Sequence, residues 1–178
     1  MTRRLSAVLL ALFLAGCGGG DDGGGTSPTA TEEVPVTSLD DLPDIDETRA
    51  QMLDLMERVK NEVVRLVPAS APWTWNRTES ATDCTQEGTG EKGLSLSTRN
   101  LISDISFDDA QWAQVLPAVR RVAAEAGLTE VSPMVDSSRN HDVQISSEDG
   151  RTLRIGSKEA SLIKGYIGCR RKAGGGAP

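Results

Sequence analysis

Apolar residues recur at helical spacing through Ile45, Met52, Met56, Val59, Val63 and Leu66. Intervals of three, four and seven put these side chains on one stripe of an α-helix. Asp44, just after Pro43 and three residues before Glu47, predicts the start as a capping box. Pro68 predicts the end. A second stripe runs through Trp112, Leu116, Val119, Val122, Ala123 and Ala126. Its expected N-cap is Ser106, with Asp109 at N3 and Ile105 against Ala110 as a staple; Gly127 is the expected C′ residue. Pro117 removes a backbone donor, so a kink or restart is expected between Ala113 and Pro117.

Elsewhere the period is two. Trp73-Thr74-Trp75 begins an extended stretch toward Cys84, Gln86 to Lys92 is a Gly-rich loop, and Gly93 to Arg99 alternates with Leu94 and Leu96 on one face. Val131 to Asp136, His141 to Ser147, Arg151 to Ser157 and Leu162 to Cys169 read as further strands. Parity fixes the register around Asp149-Gly150. A two-residue loop would pair Ile145 with Arg154 and split the apolar sets between opposite faces. A three-residue loop, Glu148-Asp149-Gly150, pairs Ile145 with Leu153 and Val143 with Ile155, and it requires a positive φ at Gly150. The sum is an α+β domain, with two amphipathic helices packed on one face of a mainly antiparallel sheet of about five strands.

This pattern occupies residues 44–172. Before it, Gly18 to Pro43 is rich in Gly, Thr, Ser, Pro and Asp and holds little to bury, which predicts a flexible acidic tether over 17–43. As a flexible coil it would span roughly 25 to 30 Å. Residues 173–178 read as a disordered tail, and no internal repeat is present.

The first sixteen residues read as an address. Arg3 and Arg4 precede the apolar run Ala7 to Leu14, then the small Ala15 and Gly16, a secretory signal peptide over 1–16 rather than a spanning helix. Leu14-Ala15-Gly16-Cys17 resembles a bacterial lipobox at every position. That resemblance implies thioether diacylation of Cys17, through one diacylglyceryl group on its sulfur, cleavage before it, and acylation of the new amine with a chain such as palmitate. One acyl chain binds membranes marginally, whereas two or three anchor a protein stably.

Of the three cysteines, lipidation of Cys17 leaves Cys84 and Cys169. Export puts them in an oxidising compartment, where a disulfide is the simplest reading. A metal pair or a reactive thiol are the alternatives, and neither cysteine has a nearby His or second Cys to support them. The 178-residue chain carries a formal net charge of −7, which argues against a nucleic-acid partner. Arg170-Arg171-Lys172 is a basic end too short to change that, and the acidic residues from Glu32 to Glu47 match no ordered Ca²⁺ loop. No cofactor and no metal site is expected.

The single histidine, His141, could serve as a general base oriented by Asp136 or Asp142, but Asp142 is adjacent on a strand and points to the opposite face. No serine or cysteine lies in a nucleophile-elbow context, so no catalytic residue is assigned. Trp73 and Trp75 share a face if extended; an exposed pair could stack on a sugar ring, whereas a buried pair fills core. These two tryptophans and His141 are the candidate ligand-binding residues. Asn76-Arg77-Thr78 fits the glycosylation sequon, which the bacterial lipobox discounts.

Together these features resemble the LppA-like family of small actinobacterial lipoproteins. The resemblance rests on the lipobox at Cys17, a helix leading into a Trp-containing segment and Asp83-Cys84-Thr85, and Asp109-Ala110-Gln111-Trp112 opening the second helix. Ala123 to Leu128, a strand hairpin and Gly168-Cys169-Arg170 complete it. It implies an envelope lipoprotein whose motifs are structural rather than catalytic. The expected function is therefore a non-enzymatic binding domain, lipid-anchored on the extracytoplasmic face of the cell membrane, with an envelope protein, lipid or glycan as ligand. A lipid or glycolipid carrier with a cavity between helices and sheet is the alternative, and an envelope hydrolase a remote one.

Overall fold

A computed structural model describes residues 37–174. The signal peptide, Cys17, the tether up to residue 36 and the end of the tail lie outside the described residues. Helix α1 spans Ile45–Leu66 and α2 spans Asp109–Glu125. The strands are β1 Thr74–Asn76, β2 Ser80–Thr85, β3 Lys92–Ser103, β4 Glu130–Ser137, β5 Asn140–Ser146, β6 Arg151–Ser157 and β7 Ser161–Arg170. All pairings are antiparallel, in the order β1-β3-β7-β6-β5-β4, with β2 also on β3.

The α+β class and the two helices are as expected, but the sheet has seven strands rather than about five. The extended stretch after Trp73 is two strands: Arg77, at φ 65°, breaks it, and each piece pairs separately with β3. At the other edge β4 pairs along its whole length with β5 while staying mostly exposed, and Pro133 and a bulge blunt that edge.

Both helices cover the same face. Val143 and Ile145 of β5 pair with Ile155 and Leu153 of β6, the register expected from a three-residue loop, and Gly150 has φ 82°. All four residues are buried, as are Ile163 and Ile167 of β7. A one-residue slip would turn this set to solvent, at about 1.5–3 kcal/mol for each large aliphatic side chain. Met52, Leu55, Met56, Val59 and Val63 of α1 close over them with Trp112, Val115, Val119 and Val122 of α2, each 6 % exposed or less. Outward residues of the same strands, among them Gln144, Arg154, Lys164 and Tyr166, have no helix above them among the described residues and are half-buried or exposed.

Three local expectations need correction. The N-cap of α2 is Asp108, not Ser106: its carboxylate accepts from the Gln111 amide at 2.8 Å and the Gln111 side chain accepts from the Asp108 amide at 3.0 Å. The Ile105–Ala110 staple is absent, since Ile105 is exposed, and buried Phe107 stands at N′ instead. The expected break before Pro117 does not occur. Ala113 and Pro117 both lie on the solvent side, where the carbonyl freed by proline can reach water, so α2 continues through.

A further correction is the tether's end. Thr37 to Leu42 are docked on the domain: Leu39 is 1 % exposed, and Glu91 accepts hydrogen bonds from the Ser38 hydroxyl and the Leu39 amide at 2.9 and 3.0 Å. One large apolar side chain and a waiting carboxylate suffice to order a short segment that composition alone reads as linker. The Glu91 carboxyl is held below its usual range, chiefly by the Thr89 hydroxyl and then by the Leu39 amide.

Candidate functional site

His141 lies near the start of β5 on the helix-covered face, its side chain 7 % exposed. The ring stacks on Trp112 of α2 at 4.8 Å between centroids and 5° between planes. Its Nδ1 is 2.9 Å from Asp136 Oδ1, across the β4–β5 pair, and its Nε2 is 3.1 Å from Asp109 Oδ1, at the first turn of α2. Asp109 also accepts from the Arg139 amide at 2.7 Å and the Ser138 hydroxyl at 2.8 Å. Those two bonds lead in holding the Asp109 carboxyl below its usual range, against burial and with help from His141.

Asp136 is thus one of the two partners expected for His141. Asp142 faces the other way and pairs with Arg154, as strand parity requires. Asp109 was not legible as a partner, because only the fold brings it to a residue 32 positions away. A carboxylate stands against each ring nitrogen, so a substrate could reach either nitrogen only by displacing one. Chemically the cluster is a polar strut that fastens the N-terminus of α2 to the β4–β5 hairpin.

Trp73 and Trp75 do share a face, and both are half-buried against the core. Trp73 Nε1 donates to Ser70 Oγ at 3.3 Å, and the Arg99 guanidinium covers Trp75 at 4.7 Å from the ring centroid. They lie at the β1 edge, separated from β5 and His141 by β3, β7 and β6. The three candidate residues do not converge.

Cys84 and Cys169 form a disulfide, joining β2 to β7 on either side of β3. Gly93 of β3 lies opposite Cys84, and a Cβ there would meet Cys169 Sγ at 3.0 Å and overlap the Arg170 carbonyl. Just beyond, a bulge between Leu94 and Leu96 shifts the parity of β7 and turns Arg170 inward, 1 % exposed. Arg170 Nη2 is 3.1 Å from Asp149 in the β5–β6 turn, and Nη1 donates to the Cys169 carbonyl at 2.9 Å. Asp149 also receives Arg151 Nε at 2.8 Å and the Ser147 hydroxyl. Burial alone would raise the Asp149 carboxyl, but Ser147 and Arg151 outweigh it and hold the group low. The rest of the basic end is also neutralised, with Arg171 on Asp40 and Lys172 on Asp83.

Among the described residues, no helix is long and apolar enough to cross a membrane. The sequence matches a family model described as LppA, a lipoprotein confined to pathogenic Mycobacterium, over residues 20–173. In structure the chain is similar to LppA from Mycobacterium tuberculosis, with TM-score 0.51 and 15 % identity over 70 % of this chain and 78 % of that one. It is also similar to a DUF4853 family protein from Actinomyces odontolyticus, with TM-score 0.48 and 13 % identity over 78 % and 75 % of the two chains. No curated protein matches it.

Proposed function

The chain belongs to the LppA family of lipoproteins, and on that premise we propose that it is a non-enzymatic binding domain, held by acyl chains on Cys17 at the extracytoplasmic face of the cell membrane. The observation that carries this reading is the one-sided coverage of the sheet. Both helices pack on one face, leaving the polar outer rows of β3, β7, β6 and β5 without a covering layer among the described residues. A tether that begins at a lipid anchor and ends by docking at Leu39 holds this face within reach of other envelope components.

The packing weighs against the carrier alternative. The space between helices and sheet is filled by Met52, Met56, Val59, Trp112, Leu153 and Ile163, each 5 % exposed or less. A lipid would have to displace core side chains, at roughly 2–5 kcal/mol for each large one. For the hydrolase alternative, both nitrogens of His141, the base it would use, face carboxylates.

Fractionation and native mass spectrometry test the proposal together. Cys17→Ser is expected to release the protein from membranes, and the exported domain is expected to fly at its bare mass with Cys84 and Cys169 oxidised. Membrane retention of Cys17→Ser would refute the anchor. A reproducible extra mass that extracts into organic solvent would move the function to the carrier.

A further inference from the structure

Between β1 and β2 the sheet edge opens into a groove on its uncovered face. Asn76 sits opposite Asn100 and Ser80 opposite Ser97, so Thr98 and Arg99 of β3 have no partner on that side. The connecting chain swings out through Arg77, whose left-handed backbone non-glycine residues seldom adopt. On the other side of β3, a bulge sets Thr98 and Arg99 against Gly165 alone and puts Lys164 beside Asn100. The result is a hollow of about 650 Å³ lined by Arg77, Thr78, Ser80, Ser97, Thr98, Asn100 and Lys164. A second hollow, of about 370 Å³, shares Arg77 and Asn100 and is bordered by Ile102 and Leu162. Both volumes fall in the range of small-molecule sites.

The charges in this groove are unmatched. Arg49, Arg58, Arg65, Arg121, Arg151, Arg154, Arg170 and Arg171 each pair with a carboxylate. Arg77 and Lys164, like Arg99, Arg120, Arg139, Lys92 and Lys158 elsewhere, pair with none among the described residues, in a chain of net charge −7. Of the nearby acids, Asp142 pairs with Arg154, and Glu79 gives Oε2 to Arg49 while its buried Oε1 meets no donor. Of the polar groups Thr98 is engaged, by the Gly165 amide and carbonyl, and the others are idle. Thr78, Ser80 and Ser97 make no side-chain hydrogen bond among the described residues. Asn100 is 8 % exposed, and its buried Oδ1 meets no donor. Buried polar atoms are nearly always satisfied, and an exception on a cavity wall calls for an external partner.

We propose that this groove binds a polyol phosphate. The phosphate lies between Arg77 and Lys164, as charge-assisted hydrogen bonding favours. A hydroxyl of the polyol donates to Asn100 Oδ1. Each half of the ligand is required: a bare anion leaves that acceptor unmet, and a neutral sugar leaves two cations without a counter-charge. Ile102 and Leu162 flank the exit, where an ester substituent would leave the phosphate. The proposal rests on the reading of the uncovered face as a binding surface and gives that face a ligand class.

The test is calorimetric titration of the full-length chain in mild detergent with myo-inositol 1-phosphate, and with myo-inositol and inorganic phosphate in parallel. Saturable binding of the phosphorylated polyol is expected, about tenfold or more tighter than either component. Arg77→Gln and Lys164→Gln are each expected to weaken it about tenfold or more at unchanged melting temperature. Asn100→Ala is expected to weaken the polyol phosphate and leave inorganic phosphate unaffected. Absence of saturable heat, equal binding of inorganic phosphate, or variants that bind like the parent would overturn the proposal.

Dihexanoyl phosphatidylinositol, measured against Arg77→Gln to cancel uptake by the micelle, separates the two sources of such a group. Tighter binding than free inositol phosphate assigns a lipid headgroup with its ester end on Ile102 and Leu162; equal binding assigns a free polyol phosphate. Failure of the groove with crosslinks retained from neighbouring Tyr166 would remove this inference alone.

Discussion

Replacing Asp149 with asparagine isolates the most costly charge in the fold. Arg170 is 1 % exposed and sits 3.1 Å from Asp149, while Arg151 occupies the same carboxylate. Asp149→Asn keeps the shape of the β5–β6 turn and removes the negative charge, leaving Arg170 buried beside a second guanidinium. Breaking a buried pair from one side costs about 3–5 kcal/mol, because the remaining charge is uncompensated. For a folded unit of this size that corresponds to a fall of roughly 10–20 °C in Tm. Urea unfolding of the oxidised protein should lower the midpoint by the same free energy with an unchanged slope.

The complementary change has the opposite sign. Arg170→Met removes the buried charge and fills its place with apolar volume, so it should be neutral or stabilising, and it should recover much of the loss when combined with Asp149→Asn. A loss under about 1 kcal/mol for Asp149→Asn, or no recovery in the double variant, would refute the assignment of Arg170 as a desolvated cation held by Asp149.

Replacing both Cys84 and Cys169 with alanine frees a loop spanning 85 positions and should cost roughly 4 to 5 kcal/mol by denaturant unfolding. Gly93→Ala should disturb the same corner, costing about 1–3 kcal/mol by overpacking against the disulfide and the Arg170 carbonyl, measurable as a drop in Tm. Asp108→Ala removes the capping box of α2 and should lose about 1 kcal/mol in urea unfolding. Acid should also destabilise the protein. Glu62 is lowered to about 2, chiefly by Arg65, and Asp109 and Asp149 are held below their usual range. Groups depressed in the folded state stabilise it above their unfolded pKa, near 4, and lose that contribution as pH falls through the folded value. The urea midpoint should therefore fall steadily below about pH 4.

Where one physical rule dominated, the chain was legible. Strand parity around Asp149-Gly150 admitted a single loop length that kept Val143, Ile145, Leu153 and Ile155 together, and the pairing followed. The α1 stripe and the N-cap at Asp44 were equally unambiguous. At the start of α2 the expected cap, Ser106, gave way to Asp108, because Gln111 closes the box from N3. Parity failed at bulges. The shift between Leu94 and Leu96 turned Arg170 into the core, although Arg170-Arg171-Lys172 reads simply as a short basic end. The break at Arg77 was hidden for the same reason, since alternation carries no mark of where a strand leaves its partner and resumes. The pairing of His141 with Asp136 was anticipated from local sequence, but Asp109 and Trp112 reach the ring through tertiary packing. The polar groove on the uncovered face left no trace in periodicity, because it arises where two interruptions in β3 pairing coincide.

The central claim is that the domain engages its environment through the uncovered sheet face. A photoreactive amino acid at Tyr166, on that face, and one at Asn61, on the exposed side of α1, can be compared in intact cell envelopes of the lipidated full-length protein. The account predicts a discrete adduct from Tyr166 and none from Asn61. An adduct from Asn61 alone, or none from either position, would contradict it.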